Sequence, residues 1–501
     1  MNSAIAPWGV IHDIRTAIVG VAVILFLSWL VRRLGEPRNI PPGPRGWPIL
    51  GYLPKLMLSA FPPVTLMKEA QQYGEILSIN LAGQLAVVLS SPRAVKEAFT
   101  NPRVSDRPHT RVYDTLVPNG KGVATSSGQD WSVQRKFCQS MFNSFGVGKS
   151  SFEDNIATEA TYIVKEMKAY QGHPFNPTHL FCNAVSNVIC SVSFGKRFEY
   201  SDPRYQKMLE SINRTFEVTG SGGAVQFLPI SQKLTFLPTY KELMSCIGVI
   251  VDFIREEVEA HHRSLDPDDC RDFVDAYLSK IQSQSGVDGK TPLNRDNLLV
   301  TILELFVAGA ESTSSCLRWA VLLMMAHPDV QAKVQRELDD VVGRNRLPRL
   351  SDRPSLPYTE ATILEILRLA VIAPLPIPHR TSQQTQILGY HIPKDTIVME
   401  NLWMLCRDET VWKDADKFDP GRFVKDGKVS SLRDDLTVFG VGRRVCLGEQ
   451  LAKMELFIFF SFFLHQFTFK KPDDAPPISM KSTNGLTISP LPYQTCVILR
   501  D

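Results

Sequence analysis

The 501-residue chain has nine cysteines but no CxxC pair and no Cys/His cluster at zinc spacing. A disulfide framework and a structural zinc site are therefore poor explanations of those cysteines, and a reducing compartment fits best. Charge of one sign is also missing: 55 Lys and Arg against 52 Asp and Glu leave a net +3. That excess is too small for a nucleic-acid surface or a polybasic membrane patch. No GxGxxG follows a strand pattern and no P-loop occurs, so the chain carries no dinucleotide site of its own and any electrons it uses come from another protein. Repeats and low-complexity tracts are absent too. What is there, 44% hydrophobic and 21% charged residues, is the composition of a folded globular protein with a substantial core.

One long uncharged run stands out. Thr16 to Val31 (TAIVGVAVILFLSWLV) is about 24 Å long if helical, somewhat short of the roughly 30 Å hydrocarbon core. Arg15 at one end and Trp29 near the other suit the two interfaces. Arg32 and Arg33 follow at once with no small-x-small cleavage site, so the run reads as a single-pass anchor and not as a removed signal peptide. Arg32, Arg33, Arg38 and Arg45 place the remainder in the cytosol by the positive-inside rule. Next comes IPPGPRGWPILG, Ile40 to Gly51, where prolines fix φ and remove donors, predicting a stiff extended spacer. Gly74 to Pro92 alternates around a Gly-Gln turn and predicts a hairpin. Helical patterns dominate beyond it. The longest, about Asn294 to Ala326, is stopped by Pro328. Another, about Gly448 to Phe467, holds an apolar block too short for a membrane span and predicts a buried core helix.

The chemistry concentrates in FGVGRRVCLG, Phe439 to Gly448. A metal-ligating cysteine must be a thiolate, and cations or a helix N-terminus favour that form. Gly442 and Gly448 allow backbone shapes and the close approach of a flat ligand; Arg443 and Arg444 offer forked donors suited to carboxylates. A thiolate, a flat partner and carboxylate-binding arginine together point to haem, while the plain alternative is that Cys446 is one more small buried residue in a glycine-rich turn.

This stretch resembles the FxxGxRxCxG signature of the cytochrome P-450 haem-thiolate monooxygenases at Phe439, Gly442, Arg444, Cys446 and Gly448, and it is a highly specific pattern. Other family marks occur in order along nearly the whole chain, beginning at the PPGPxGxPxxG hinge of Pro41 to Gly51. The resemblance implies a mainly α fold with small β-sheets, organised as an N-terminal membrane anchor at 1–33, a proline-rich hinge at 34–51 and one haem-binding catalytic domain at 52–501. It makes Cys446 the axial ligand of haem b iron, Arg444 a propionate partner and Phe439 a neighbour of the sulfur. WSVQR similarly implies Trp131 and Arg135, and IPHRT implies His379, as further propionate partners, with Arg380 the alternative to His379.

AGAESTSS, Ala308 to Ser315, is similar to the family's element over the distal haem face. Ala308 and Ser312 lie four apart on one face with Gly309 beside them, a notch for bound oxygen. Glu311 is then the acid of a proton relay. Ser312 stands where threonine is usual; it keeps the hydroxyl without the β-methyl that restricts χ1, and Thr313 is the neighbour able to share its role. Small residues that let helices pack closely are an ordinary explanation for Ala308, Gly309 and Ala310, but not for an acid in an apolar turn. Glu365, Arg368 and Arg422 resemble the family's buried structural triad and are not expected to be catalytic.

The resemblance further implies NADPH–cytochrome P-450 reductase as electron donor, cytochrome b5 as a second donor, an apolar small-molecule substrate and an endoplasmic reticulum membrane location, with no nucleic acid. Lys136, Arg443 and Lys453 are the expected reductase contacts. The class most resembled is the microsomal animal group that oxidises drugs, fatty acids and steroids. Two other readings are a haem-thiolate isomerase or peroxygenase needing no reductase, and a non-catalytic haem or lipid binder; Glu311 and Ser312 argue against the first.

Overall fold

The computed structural model describes residues 39–108, 117, 120–149, 152–220, 237–284, 291–483 and 485–500, together with Thr16, Val19, Gly20 and Val23. The expected anchor otherwise lies outside the described residues; those four positions of it are helical and exposed. The fold is mainly α with small sheets, as expected. Among the described residues only the Arg295–Ala326 helix is long and apolar enough to cross a membrane, and 67% of its most apolar window is buried inside the protein, which makes it a core helix.

Local chemistry sets its ends. Asn294 caps it, its side-chain oxygen accepting from Asn297 N–H at 2.9 Å, and Pro328 opens the next helix one residue after His327. Its 32 residues span about 48 Å. Against it pack the Thr178–Phe194 helix and the Glu449–Gln466 helix, all three contributing to one core cluster. The apolar block of the last helix is buried throughout, with Phe457, Phe459, Phe462 and Phe463 under 2% exposed. Each such burial removes a large side chain from water for roughly 1.5–3 kcal/mol.

The predicted hairpin forms from Ile76–Leu81 and Gln84–Leu89, antiparallel with Leu81 opposite Gln84. Its turn is Ala82-Gly83, one residue earlier than the sequence pattern suggests, because both residues take positive φ (51° and 95°), the twist-matched arrangement for a two-residue connection. The second strand pairs in parallel with Ile397–Glu400, whose other edge holds His379–Arg380 antiparallel. The proline-rich segment is not a free spacer: Ser78 donates to the carbonyls of Pro41 (2.7 Å) and Pro42 (2.9 Å), so the chain is docked on the sheet edge from there.

The expected triad is present and sealed. Arg368 grips Glu365 with two bonds of 2.7 and 2.8 Å on the Pro357–Ala370 helix, both side chains fully buried. Arg422 adds 3.1 Å to the same carboxylate, and Arg368 also donates to the Cys406 carbonyl at 2.7 Å. The cluster ties the helix to the segment at Cys406 and to the one-turn helix Pro420–Phe423. Replacing Arg368 by Leu leaves a buried carboxylate short of its main partner, and is predicted to lower the unfolding free energy of the holoprotein by about 3–5 kcal/mol in denaturant titration. A loss under about 1 kcal/mol, the value of an exposed pair, contradicts this account.

Candidate cofactor site

The cysteine loop is shaped by glycine and by its own backbone bonds. Cys446 N–H donates to the Phe439 carbonyl at 2.8 Å, closing the loop, with Gly440 and Gly442 at φ 76° and 75° inside it. Gly442 is also tightly enclosed: a Cβ there would sit 2.1 Å from the Phe99 carbonyl oxygen. Gly448 is different. It takes an ordinary φ of −90° and a Cβ on it would meet nothing within 4 Å, so neither conformation nor protein packing demands glycine there. Gly448 caps the Glu449–Gln466 helix, which places Cys446 at a helix N-terminus where the dipole favours an anion.

Cys446 is enclosed by protein, and burial pushes its thiol up, opposed by a Gly448 N–H bond and by the Arg135 charge. Its surface is nevertheless exposed, so open space adjoins it on one side. Ala308 is likewise exposed in the middle of the largely buried Arg295–Ala326 helix, and Ser312, one turn on, is half-buried with its hydroxyl donating to the Ala308 carbonyl at 2.7 Å. Gly309 lies against protein: a Cβ would come 2.6 Å from Ile189 Cδ1, so its absent side chain serves helix packing.

The predicted carboxylate-binding groups converge. Trp131 and Arg135 lie on the Gly128–Ser144 helix, and Arg135 donates to the Val445 carbonyl at 2.6 Å. Arg444 stacks over the Trp131 ring at 3.9 Å and donates to the carbonyls of Ser105 (2.8 Å), Ser126 (2.6 Å) and Val123 (3.3 Å). His379 stacks on Phe99 with centroids 3.9 Å apart and bonds the Val104 carbonyl through Nδ1 at 2.8 Å. Burial, then the charges of Arg107 and Arg444, hold its imidazole well below the usual range, hence neutral. Arg380, the alternative, is engaged by Asp395 at 3.0 Å and Asp106 at 3.5 Å.

Arg107 was not legible in the sequence. It is buried, donates to the carbonyls of Ala124 (3.1 Å), Ile377 (2.6 Å) and Pro378 (3.0 Å), and crowds Arg444. Burial and the neighbouring guanidinium groups of Arg107 and Arg135 push Arg444 down to about 8, with Asp106 and Glu304 opposing. Cations crowded this way favour a carboxylate-bearing guest. Trp131 Nε1 points the same way, a buried donor with no hydrogen-bond partner. The orphaned donor, the crowded cations and the exposed Cys446 at a helix N-terminus therefore fit haem: Cys446 would hold its iron, and Arg107, Arg135, Arg444 and Trp131 its propionates.

On the Arg295–Ala326 helix, Glu311 is buried and turned toward the 488–490 segment. Its Oε1 accepts from Ser315 (2.8 Å) and Ser489 (3.1 Å), and burial pushes its carboxyl up, with the two hydroxyls and Arg318 opposing. Thr313 stands apart from Ser312. Its hydroxyl donates to Glu455 Oε2 at 3.3 Å across the interface with the Glu449–Gln466 helix. Glu304 is a further missed residue, carrying the same signal as Glu311, an acid in an apolar helix. It receives Ala124 N–H (2.7 Å), Thr125 N–H (3.1 Å) and the Thr125 hydroxyl (2.6 Å), fixing the loop that also bonds Arg107 and Arg444. Of the expected reductase contacts, Lys136 and Arg443 are exposed, while Lys453 is half-buried, paired with Glu449 at 2.6 Å.

Comparison with known proteins agrees with this geometry. Residues 41–497 match the family described as "Cytochrome P450". The chain is 37% identical to "Cytochrome P450 2U1" of Homo sapiens over 508 residues, covering 96% of this chain and 93% of that protein. It is 37% identical to "Cytochrome P450 2J5" of Mus musculus over 496 residues (98% and 97% covered), and 36% identical to "Cytochrome P450 2J2" of Homo sapiens over 501 residues (99% and 98% covered).

Gly442→Ala combines a left-handed backbone with a carbonyl contact no Cβ tolerates, and is predicted to abolish loading with haem, read as the haem-to-protein ratio after purification. Gly448→Ala, free of both penalties in the protein itself, should fold as well as the parent by circular dichroism. Equal haem loading of Gly442→Ala and the parent contradicts the assigned loop geometry.

Proposed function

The chain belongs to the cytochrome P-450 family and is a haem-thiolate monooxygenase, and on that premise we propose that it inserts one oxygen atom of O2 into an apolar small molecule, a steroid, fatty acid or foreign compound. Electrons come from NADPH–cytochrome P-450 reductase, with cytochrome b5 as a second donor, and the protein works at the endoplasmic reticulum membrane on an N-terminal anchor. The observation that carries this reading is an exposed Cys446 at a helix N-terminus, acted on by Arg135 within a cluster of buried arginines.

Haem bound through Cys446 supplies the binding and reductive cleavage of O2 and the transfer of one of its atoms. The residues around it do the rest. The helix N-terminus and Arg135 stabilise the sulfur anion, and the buried arginines fix the orientation of the macrocycle through its carboxylates. Glu311 is the acid of the relay: burial shifts its carboxyl toward the protonated form, and Ser315 and Ser489 orient it. Ser312 Oγ, now donating to the Ala308 carbonyl, turns to pass that proton into the notch. Thr313, committed to Glu455, contributes packing and keeps the two helices in register. Lys136 and Arg443 offer the exposed positive surface beside the cysteine loop on which an acidic flavoprotein docks. Apolar substrate enters past Phe216 and the Gly485–Leu486 turn, which approach each other where a Cβ on Gly485 would be 3.7 Å from the Phe216 carbonyl.

Purified protein with reductase and NADPH, offered steroids, fatty acids and drugs, should yield singly oxygenated products by mass spectrometry; absence of any product across the panel contradicts the proposal. Ser312→Ala should keep the haem spectrum yet lower product formation about 100-fold, with NADPH diverted to peroxide. Unchanged product per NADPH would remove Ser312 from the proton path.

A further inference from the structure

Glu400 has no task in the site described so far. It ends the Ile397–Glu400 strand, is 5% exposed, and its Oε2 is buried with no hydrogen-bond partner. Its Oε1 lies beside the cysteine loop, 3.9 Å from where a Cβ on Gly440 would stand. The cation acting on it is Arg107, the buried arginine that also crowds Arg444 and His379. The other titratable group nearby is Cys406, after the short Leu402–Leu405 helix, whose thiol burial pushes up to about 12, so it stays neutral. The paired strand Gln84–Leu89 contributes no charge, and Arg380 on the other paired strand is taken up by Asp395 and Asp106.

Glu304 supplies the contrast. Burial pushes that carboxyl up too, but three donors oppose the shift, a set of hydrogen bonds that favours its charged form. Glu400 lacks such a set on Oε2, and burial pushes it up to about 8 against the pull of Arg107. At neutral pH it is therefore a neutral acid, and Arg107 keeps its charge for another partner.

We propose that Glu400 is a proton-dependent counter-ion beneath the haem cradle: as the neutral acid it leaves Arg107 to a haem carboxylate, and as the anion it competes for Arg107 and loosens the haem. The inference rests on the reading of Arg107, Arg135 and Arg444 as the carboxylate cradle. Linkage makes the coupling reciprocal, because bound haem carboxylates raise the proton affinity of Glu400 as much as its protonation tightens haem. The sign follows: haem retention is full below the Glu400 titration and weakens as pH rises through about 8 and beyond.

The test is the rate at which the holoprotein gives up haem to excess apomyoglobin, followed by absorbance from neutral to alkaline pH. The parent should release haem faster above pH about 8, by up to about tenfold per pH unit, the limit for one linked proton. Glu400→Gln and Glu400→Leu, both permanently neutral, should show no such rise. Parent and variant curves that coincide, or a parent rate that is flat through this range, overturn the proposal. So does a variant pair that cannot be loaded with haem, since neutral substitutes should hold it as well as the neutral acid. The thiolate–haem spectrum of the parent at neutral pH is independent of Glu400, so its loss would count against the cofactor site itself, and coincident curves with that spectrum intact count only against Glu400.

Discussion

A sulfur anion kept inside a protein is the constraint around which this molecule is arranged. Burial disfavours the thiolate of Cys446, and the chain counters with a helix N-terminus, the Gly448 N–H and the Arg135 charge. Each of those needs its own support. The loop that presents the sulfur demands positive φ at Gly440 and Gly442, and it presses so closely on Phe99 that the Pro92–Thr100 helix and His379, stacked on the same ring, are fixed with it. The buried Glu365–Arg368–Arg422 cluster ties down a neighbouring part of the chain through the Cys406 carbonyl.

The second constraint is electrostatic crowding. Burial depresses Arg107, Arg135 and Arg444, Arg135 lowers Arg107 further and both lower Arg444, and the protein partly offsets this with Glu304, Asp106 and a ring of backbone carbonyls. Such an arrangement is costly on its own account and makes physical sense as a receptor for a guest carrying carboxylates. Structure and cofactor binding are thus two aspects of one charge balance, and the orphaned Trp131 Nε1 belongs to it as well.

Much of this was legible in the sequence, for identifiable reasons. Helix limits at Asn294 and Pro328 follow from capping and from the missing proline N–H, both local effects. Gly442, Arg444 and Cys446 sit within five residues, so their cooperation is written in one stretch. Arg107 and Glu400 were not legible, because what gives them meaning is a meeting of segments almost three hundred residues apart, and neither has a distinctive local pattern. Thr313 illustrates the converse. Its sequence neighbour Ser312 suggested a shared role, but one residue is about 100° around a helix, enough to send its hydroxyl to Glu455. Glu304 lay within reach of the argument used for Glu311, that an acid on an apolar helix needs a partner, and the partner proved to be the 124–125 backbone.

Everything therefore turns on the bond that the loop from Phe439 to Gly448 exists to make. The direct measurement is the absorption spectrum of the purified protein after reduction and exposure to carbon monoxide, for the parent and for Cys446→Ala. The account predicts the red-shifted band of a thiolate-ligated haem in the parent and its disappearance in the variant. A parent without that band, or a variant that retains it, contradicts the account.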